Sequence, residues 1–190
     1  YKRQVSNSGY REVLKNKVLM MGAFAILVYV GAEVAIGSYL VNYFIDMDMH
    51  LIIQSTPWMH NIAINILNTD LGSLDKRAIV GAFVTFYWSG AMIGRFLGAY
   101  LTSKNNPSKV LGFFAIGALL FIVISMNTFG VISMWSILAV GLFNSIMFPT
   151  IFTLSIQDID ELKPQASGIL CTMIVGGAII PPLYGFITDL

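Results

Sequence analysis

The stretch Val18-Leu-Met-Met-Gly-Ala-Phe-Ala-Ile-Leu-Val-Tyr-Val-Gly-Ala-Glu33-Val-Ala-Ile-Gly-Ser-Tyr-Leu-Val-Asn-Tyr-Phe44 decides the fold. As a helix rising about 1.5 Å per residue it reaches about 40 Å, enough to cross a hydrocarbon core of about 30 Å. One carboxylate, Glu33, stands close to its centre. A charge retained in hydrocarbon faces a cavity, pairs with a partner, or binds and releases an ion. Glu33 is therefore a substrate-cavity candidate, with pairing to another helix for assembly as the alternative.

Four more runs have the same character: 78–101, 110–126, 131–156 and 166–187. Only intrahelical hydrogen bonds satisfy the backbone of a single segment in lipid, so the expected fold is an all-α membrane protein with five transmembrane helices. With 56% hydrophobic and 11% charged residues, the chain lacks the polar surface of a soluble domain. The net charge of +1, with no basic stripe, speaks against a nucleic-acid partner.

The few basic residues report orientation. Lys2, Arg3, Arg11, Lys15 and Lys17 precede the first span, Lys104 and Lys109 follow the second, and Lys163 lies between the fourth and fifth. The positive-inside rule makes these segments cytoplasmic. Residues 1–17 read as a cytoplasmic linker or a short amphipathic helix, and 18–190 as the five-span bundle. On the opposite side, the 46–77 connection carries His50, Pro57, Trp58 and His60. An interfacial helix with Trp58 at headgroup depth is expected there. The histidine spacing is wrong for one helix face and no further ligand joins them, so no metal and no cofactor is expected. The only cysteine, Cys171, lies within the last span. A chain that starts at Tyr1, ends directly after a span and holds an odd number of helices reads as part of something longer.

Mid-depth polar groups align. Glu33 is near the middle of the first span, Trp88 of the second, Asn144 of the fourth, and Gly176 with Gly177 of the fifth. Alignment at one level is what a substrate site at the bilayer midplane requires. Tyr29 is one turn before Glu33 and Gly37 one turn after it, putting an aromatic ring and a carboxylate on one face above an open notch. That pair suits a sugar, which offers O–H donors at its rim and C–H groups on its faces. Tyr29 and Trp88 read equally as packing residues, and Asn144 equally as a hydrogen bond between helices. Gly90, Gly94 and Gly98 form a small-residue stripe for close helix approach, with Arg95 beside it in a structural or gating role. Pro149 and Pro181 with Pro182 should bend the fourth and fifth spans, giving Gly176 and Gly177 a place to move. The third span carries no ionisable or amide side chain and is expected to face lipid.

Tyr29-Val-Gly-Ala-Glu-Val-Ala-Ile-Gly-Ser-Tyr-Leu40, Gly94-Arg-Phe-Leu-Gly98, Pro107-Ser-Lys-Val-Leu111, Phe148-Pro-Thr-Ile-Phe152 and Gly176-Gly-Ala-Ile-Ile-Pro181 together resemble the C-terminal half of the fucose–proton symporter family of the major facilitator superfamily. Glu33 with Gly37-Ser38 is more similar to its bacterial glucose/galactose transporter branch. The resemblance implies helices seven to eleven of a twelve-helix carrier, with the N-terminal half and the last helix of the parent chain absent. It also implies a peripheral third span and a degenerate loop motif from Gly94 to Lys109, where Thr102 stands near the place of the usual acidic residue. The implied function is alternating-access uptake of a hexose coupled to a proton or sodium ion across the bacterial inner membrane. The family's protonation carboxylates lie in the other half, which leaves Glu33 with the sugar. The competing class is a non-transporting assembly or receptor-like subunit. No HExxH, Ser-Lys or paired-aspartate constellation points to an enzyme.

Overall fold

The computed structural model describes residues 7–188, and 1–6 of the expected N-terminal segment lie outside it. Among the described residues all regular structure is helical. A short helix α1 (Asn7–Val13) precedes α2 (Lys17–Asp46). The long connection folds into α3 (Met49–Ser55), α4 (Pro57–Leu67) and a 3₁₀ turn (Leu71–Ser73). Then come α5 (Lys76–Lys104), α6 (Pro107–Met126), α7 (Gly130–Asn144), α8 (Met147–Ile156), α9 (Lys163–Thr172), a 3₁₀ turn (Met173–Val175) and α10 (Gly176–Thr188). Among the described residues five stretches are long and apolar enough to cross a membrane: Lys17–Asp46, Lys76–Lys104, Pro107–Met126, Gly130–Ile156 and Lys163–Thr188.

Two of the spans start where a polar side chain replaces missing backbone partners. Asn16 Oδ1 accepts from the Val18 and Leu19 amides at 2.9 and 3.1 Å, supplying the first turn of α2. Asn106 does the same for α6 at Ser108 N, with Pro107 at the first helical position. Proline explains the interruption of the fourth span. Pro149 has no N–H for the Ser145 carbonyl four residues back, and the helix yields into a turn at Ser145–Ile146. In the fifth span Pro181 and Pro182 sit inside α10, and the 3₁₀ turn abuts Gly176. The connection is more structured than the single interfacial helix expected: it breaks before Pro57, with Trp58 at the start of α4.

The chain divides into two compact units. One takes the chain up to Ala35 and from Met147 onward. Its core is the stripe Leu19, Ala23, Ile26 and Val30 of α2, spaced by three and four residues, packed with Val13, Ile159, Ala166 and Leu170. Residues 7–13 are thus a packed helix: Val13 joins the core, and Gly9 lies against Leu162 and Gln165. The other unit runs Ile36–Ile146. There Phe44, Phe83, Tyr87, Met134 and Leu138 are buried between α5, α7 and the connection. Phe143 gathers Phe113, Phe114 and Phe121 of α6 around it. The rest of α6 leaves Phe113, Ile116, Leu119, Leu120 and Val123 exposed, an apolar face of the kind lipid covers.

Candidate functional site

In the unit built from the chain's two ends, glycines set the spacing of α2 and α10. A Cβ on Gly176 would fall on the Leu27 carbonyl oxygen, and one on Gly177 would lie 3.0 Å from Val34 Cγ2. Gly31 in turn accommodates Ile180. Small residues facing one another let two backbones approach closely in lipid, so Gly176 and Gly177 clamp the fifth span to the turn of α2 that carries Glu33. Glu33 itself is half-buried, and Pro181 is buried. Tyr29 packs against the apolar cluster of this unit.

In the Ile36–Ile146 unit the glycine stripe of α5 meets α7 and the turn after it. Gly90 lies against the Leu142 backbone, a Cβ on Gly94 would meet the Leu142 carbonyl and Ser145 Oγ, and one on Gly98 would meet Ile146. From α7, Gly141 repays the approach: a Cβ there would land on the Tyr87 carbonyl. Arg95 points away from the stripe and is exposed.

Above that seam stand Trp88 and Asn144. Asn144 is 6% exposed, and its Nδ2 donates to the Tyr87 hydroxyl at 3.2 Å. That bond joins α5 to α7 and supplies the interhelical role the sequence left open. Trp88 is different: 54% of it is exposed. Its ring meets Tyr87 edge-on, with centroids 5.2 Å apart and planes at 90°. Its Cζ2 lies 3.2 Å from where a Cβ on Gly37 would stand, so the notch one turn beyond Glu33 in sequence is covered by an indole.

Sequence reasoning passed over Tyr87, which contacts both Trp88 and Asn144. A signal was available, since Tyr87, Gly90, Ala91 and Gly94 fall three, four and seven residues apart on one face. It also passed over a hydroxyl cluster where α2, α6 and α7 meet. Tyr43 Oη, Ser125 Oγ and Ser133 Oγ lie 2.8 to 3.2 Å apart. Ser125 Oγ donates to the Ser133 carbonyl at 3.0 Å and Ser133 Oγ to the Ser125 carbonyl at 2.8 Å. Near it, Trp58 stacks on Trp135, which packs against Phe83 and Phe86. Among the described residues no cluster of three metal-ligating side chains forms, and His50 and His60 gain no further ligand.

Five apolar helices, glycine seams and buried polar bonds between spans define a multi-pass α-helical membrane protein. Its relatives are transporters, not enzymes. The chain is homologous to bacterial glucose/galactose transporters and L-fucose–proton symporters, and it carries part of the major facilitator fold. It is 41% identical over 171 residues to the glucose/galactose transporter of Brucella abortus, covering 90% of this chain and 36% of that protein. It is 32% identical over 161 residues to the L-fucose–proton symporter of Escherichia coli K12, covering 85% and 31%. The crystal structure of a major facilitator superfamily fucose transporter in the outward conformation matches with a TM-score of 0.75 at 27% identity, over 100% of this chain and 40% of that one. No family model matches the sequence. The chain thus spans about a third of the length of these relatives.

Proposed function

We propose that this chain is the C-terminal part of a secondary carrier that moves a hexose across the bacterial inner membrane, coupled to a proton or sodium ion. Similarity to sugar carriers along nearly the whole chain supports this most strongly. In the unit of the chain's two ends the proposed binding group is Glu33, accepting from sugar hydroxyls, and in the Ile36–Ile146 unit it is Trp88, stacking on a sugar ring. Tyr29 and Asn144 support them, Tyr29 from the apolar cluster and Asn144 through its bond to Tyr87. An exposed indole amid glycine-packed helices fits such a site, because the flat ring meets the C–H face of a pyranose. The breaks at Ser145–Ile146 and Met173–Val175 fit helices that bend as the carrier alternates. The segments before the first span and after the second are cytoplasmic.

The test is hexose uptake by the full-length carrier in proteoliposomes, with and without a pH or sodium gradient. Gradient-driven glucose or galactose uptake is expected, and the gradient that drives it names the ion. Glu33→Gln should weaken sugar binding and counterflow. Normal behaviour of that variant in both assays removes Glu33 from the mechanism, and absence of uptake under either gradient defeats the carrier reading.

A further inference from the structure

Tyr87 carries no charge and has no exposed surface, yet it touches both side chains of its unit nominated for the sugar. Its hydroxyl accepts from Asn144, its ring braces the Trp88 indole at a right angle, and its backbone is pressed against Gly141. Trp88, the next residue, is turned about 100° round the helix and stands exposed, its ring perpendicular to that of Tyr87 and one edge over Gly37. The indole therefore has a neighbour on each of two sides and a surface left open.

We propose that Tyr87 is a positioning residue for sugar recognition. The Asn144 amide anchors its hydroxyl, and the anchored ring sets the plane in which Trp88 meets a pyranose. This rests on the carrier reading and deepens it. A hexopyranose with an axial hydroxyl gathers its C–H groups on the opposite face, so a fixed indole plane tells epimers apart and a swinging one does not. The Tyr87–Asn144 pair therefore governs the ratio of galactose to glucose recognition through Trp88, which does the touching.

The experiment compares galactose and glucose uptake by the full-length carrier and its Tyr87→Phe, Asn144→Ala and double variants. Tyr87→Phe keeps the ring and removes the hydroxyl to which Asn144 donates. It should raise KM for the preferred sugar about 3- to 10-fold, the span of a single neutral hydrogen bond, narrow the epimer ratio, and leave the maximal rate near that of the parent. Asn144→Ala should do the same, and the double variant should be no worse than the worse single one, since both remove the same bond. A wild-type KM and epimer ratio in Tyr87→Phe, or additive effects, overturns the assignment while the carrier reading stands. A fall in maximal rate with the ratio intact marks a structural role and also overturns it. Should the double variant fail to fold, the two single variants still decide through the ratio. If the unaltered carrier moves no hexose, the carrier reading fails and this assignment with it.

Discussion

The Tyr43 hydroxyl stands 2.8 Å from Ser133 Oγ, joining the far end of α2 to the first turn of α7, and Ser125 of α6 closes the triangle. Each serine hydroxyl donates to the other serine's carbonyl, so the tyrosine proton completes the set. Hydroxyls without water at hand are expensive to leave unpaired. Tyr43→Phe should therefore lower stability by about 0.6 kcal/mol, the usual worth of an interhelical hydrogen bond in a bilayer. Ser133→Ala removes the shortest of the Tyr43 contacts and the hydroxyl that donates to the Ser125 carbonyl, leaving Tyr43 with Ser125 alone, and should lower it more, by about 1 kcal/mol. Thermal unfolding of the detergent-purified protein checks the order, and equal melting of both variants with the parent would mean that the triangle does not hold these helices.

The glycines separate into two groups that substitution can tell apart. A Cβ at Gly94 or Gly176 would collide with the backbone carbonyl of Leu142 or Leu27, neither of which is the movable end of a flexible side chain. At Gly81 and Gly112 it would meet nothing within 4 Å. Alanine at the first pair should force helices apart and lower expression and thermal stability. At the second pair it should be neutral or stabilise by up to about 1 kcal/mol, alanine being the better helix former. Matched losses at all four positions would contradict the close approaches described above.

Gly37 is an intermediate case with a functional readout. The atom facing it belongs to the exposed edge of Trp88, at 3.2 Å from an added Cβ, and a shift of a few tenths of an ångström relieves the contact. Gly37→Ala should fold normally and shift Trp88 emission, whereas Gly37→Leu should displace the indole and weaken hexose binding severalfold. Sugar-dependent fluorescence and uptake measured together check this. Unaltered binding in Gly37→Leu would show that the indole plane is irrelevant to the substrate.

The five spans were legible because each is a long apolar run, and two of them begin at a capping side chain, Asn16 and Asn106. The turn at Ser145–Ile146 could be anticipated from Pro149, since the missing donor acts four residues upstream. The packing role of Gly90, Gly94 and Gly98 was equally readable from their spacing. Serine and tyrosine hydroxyls were not. Ser125 lies in a span that reads as uniformly apolar, and only the third dimension brings it to Tyr43 and Ser133, 82 and 8 residues away. Tyr87 stayed hidden for a related reason: an aromatic residue in a membrane helix is ordinarily packing, and its bond to Asn144 spans 57 residues of sequence. The first helix of the connection, α3, escaped notice because periodicity over so few residues carries little information.

Glu33 offers the most direct approach to the question of whether water enters the membrane interior of the carrier. This residue is half-buried in this structure, on a predominantly apolar helix. Cys171 is exposed and must first be replaced, as Cys171→Ser, so that one thiol reports. In that background Glu33→Cys should react with a charged, membrane-impermeant thiol reagent in the full-length carrier, because an ionisable group kept in hydrocarbon lines a wet cavity. Added hexose should slow the reaction by occupying the space in front of position 33. A thiol inert with and without sugar, in protein that still binds hexose, would place Glu33 in an assembly contact and leave Trp88 as the sole remaining candidate for direct sugar contact.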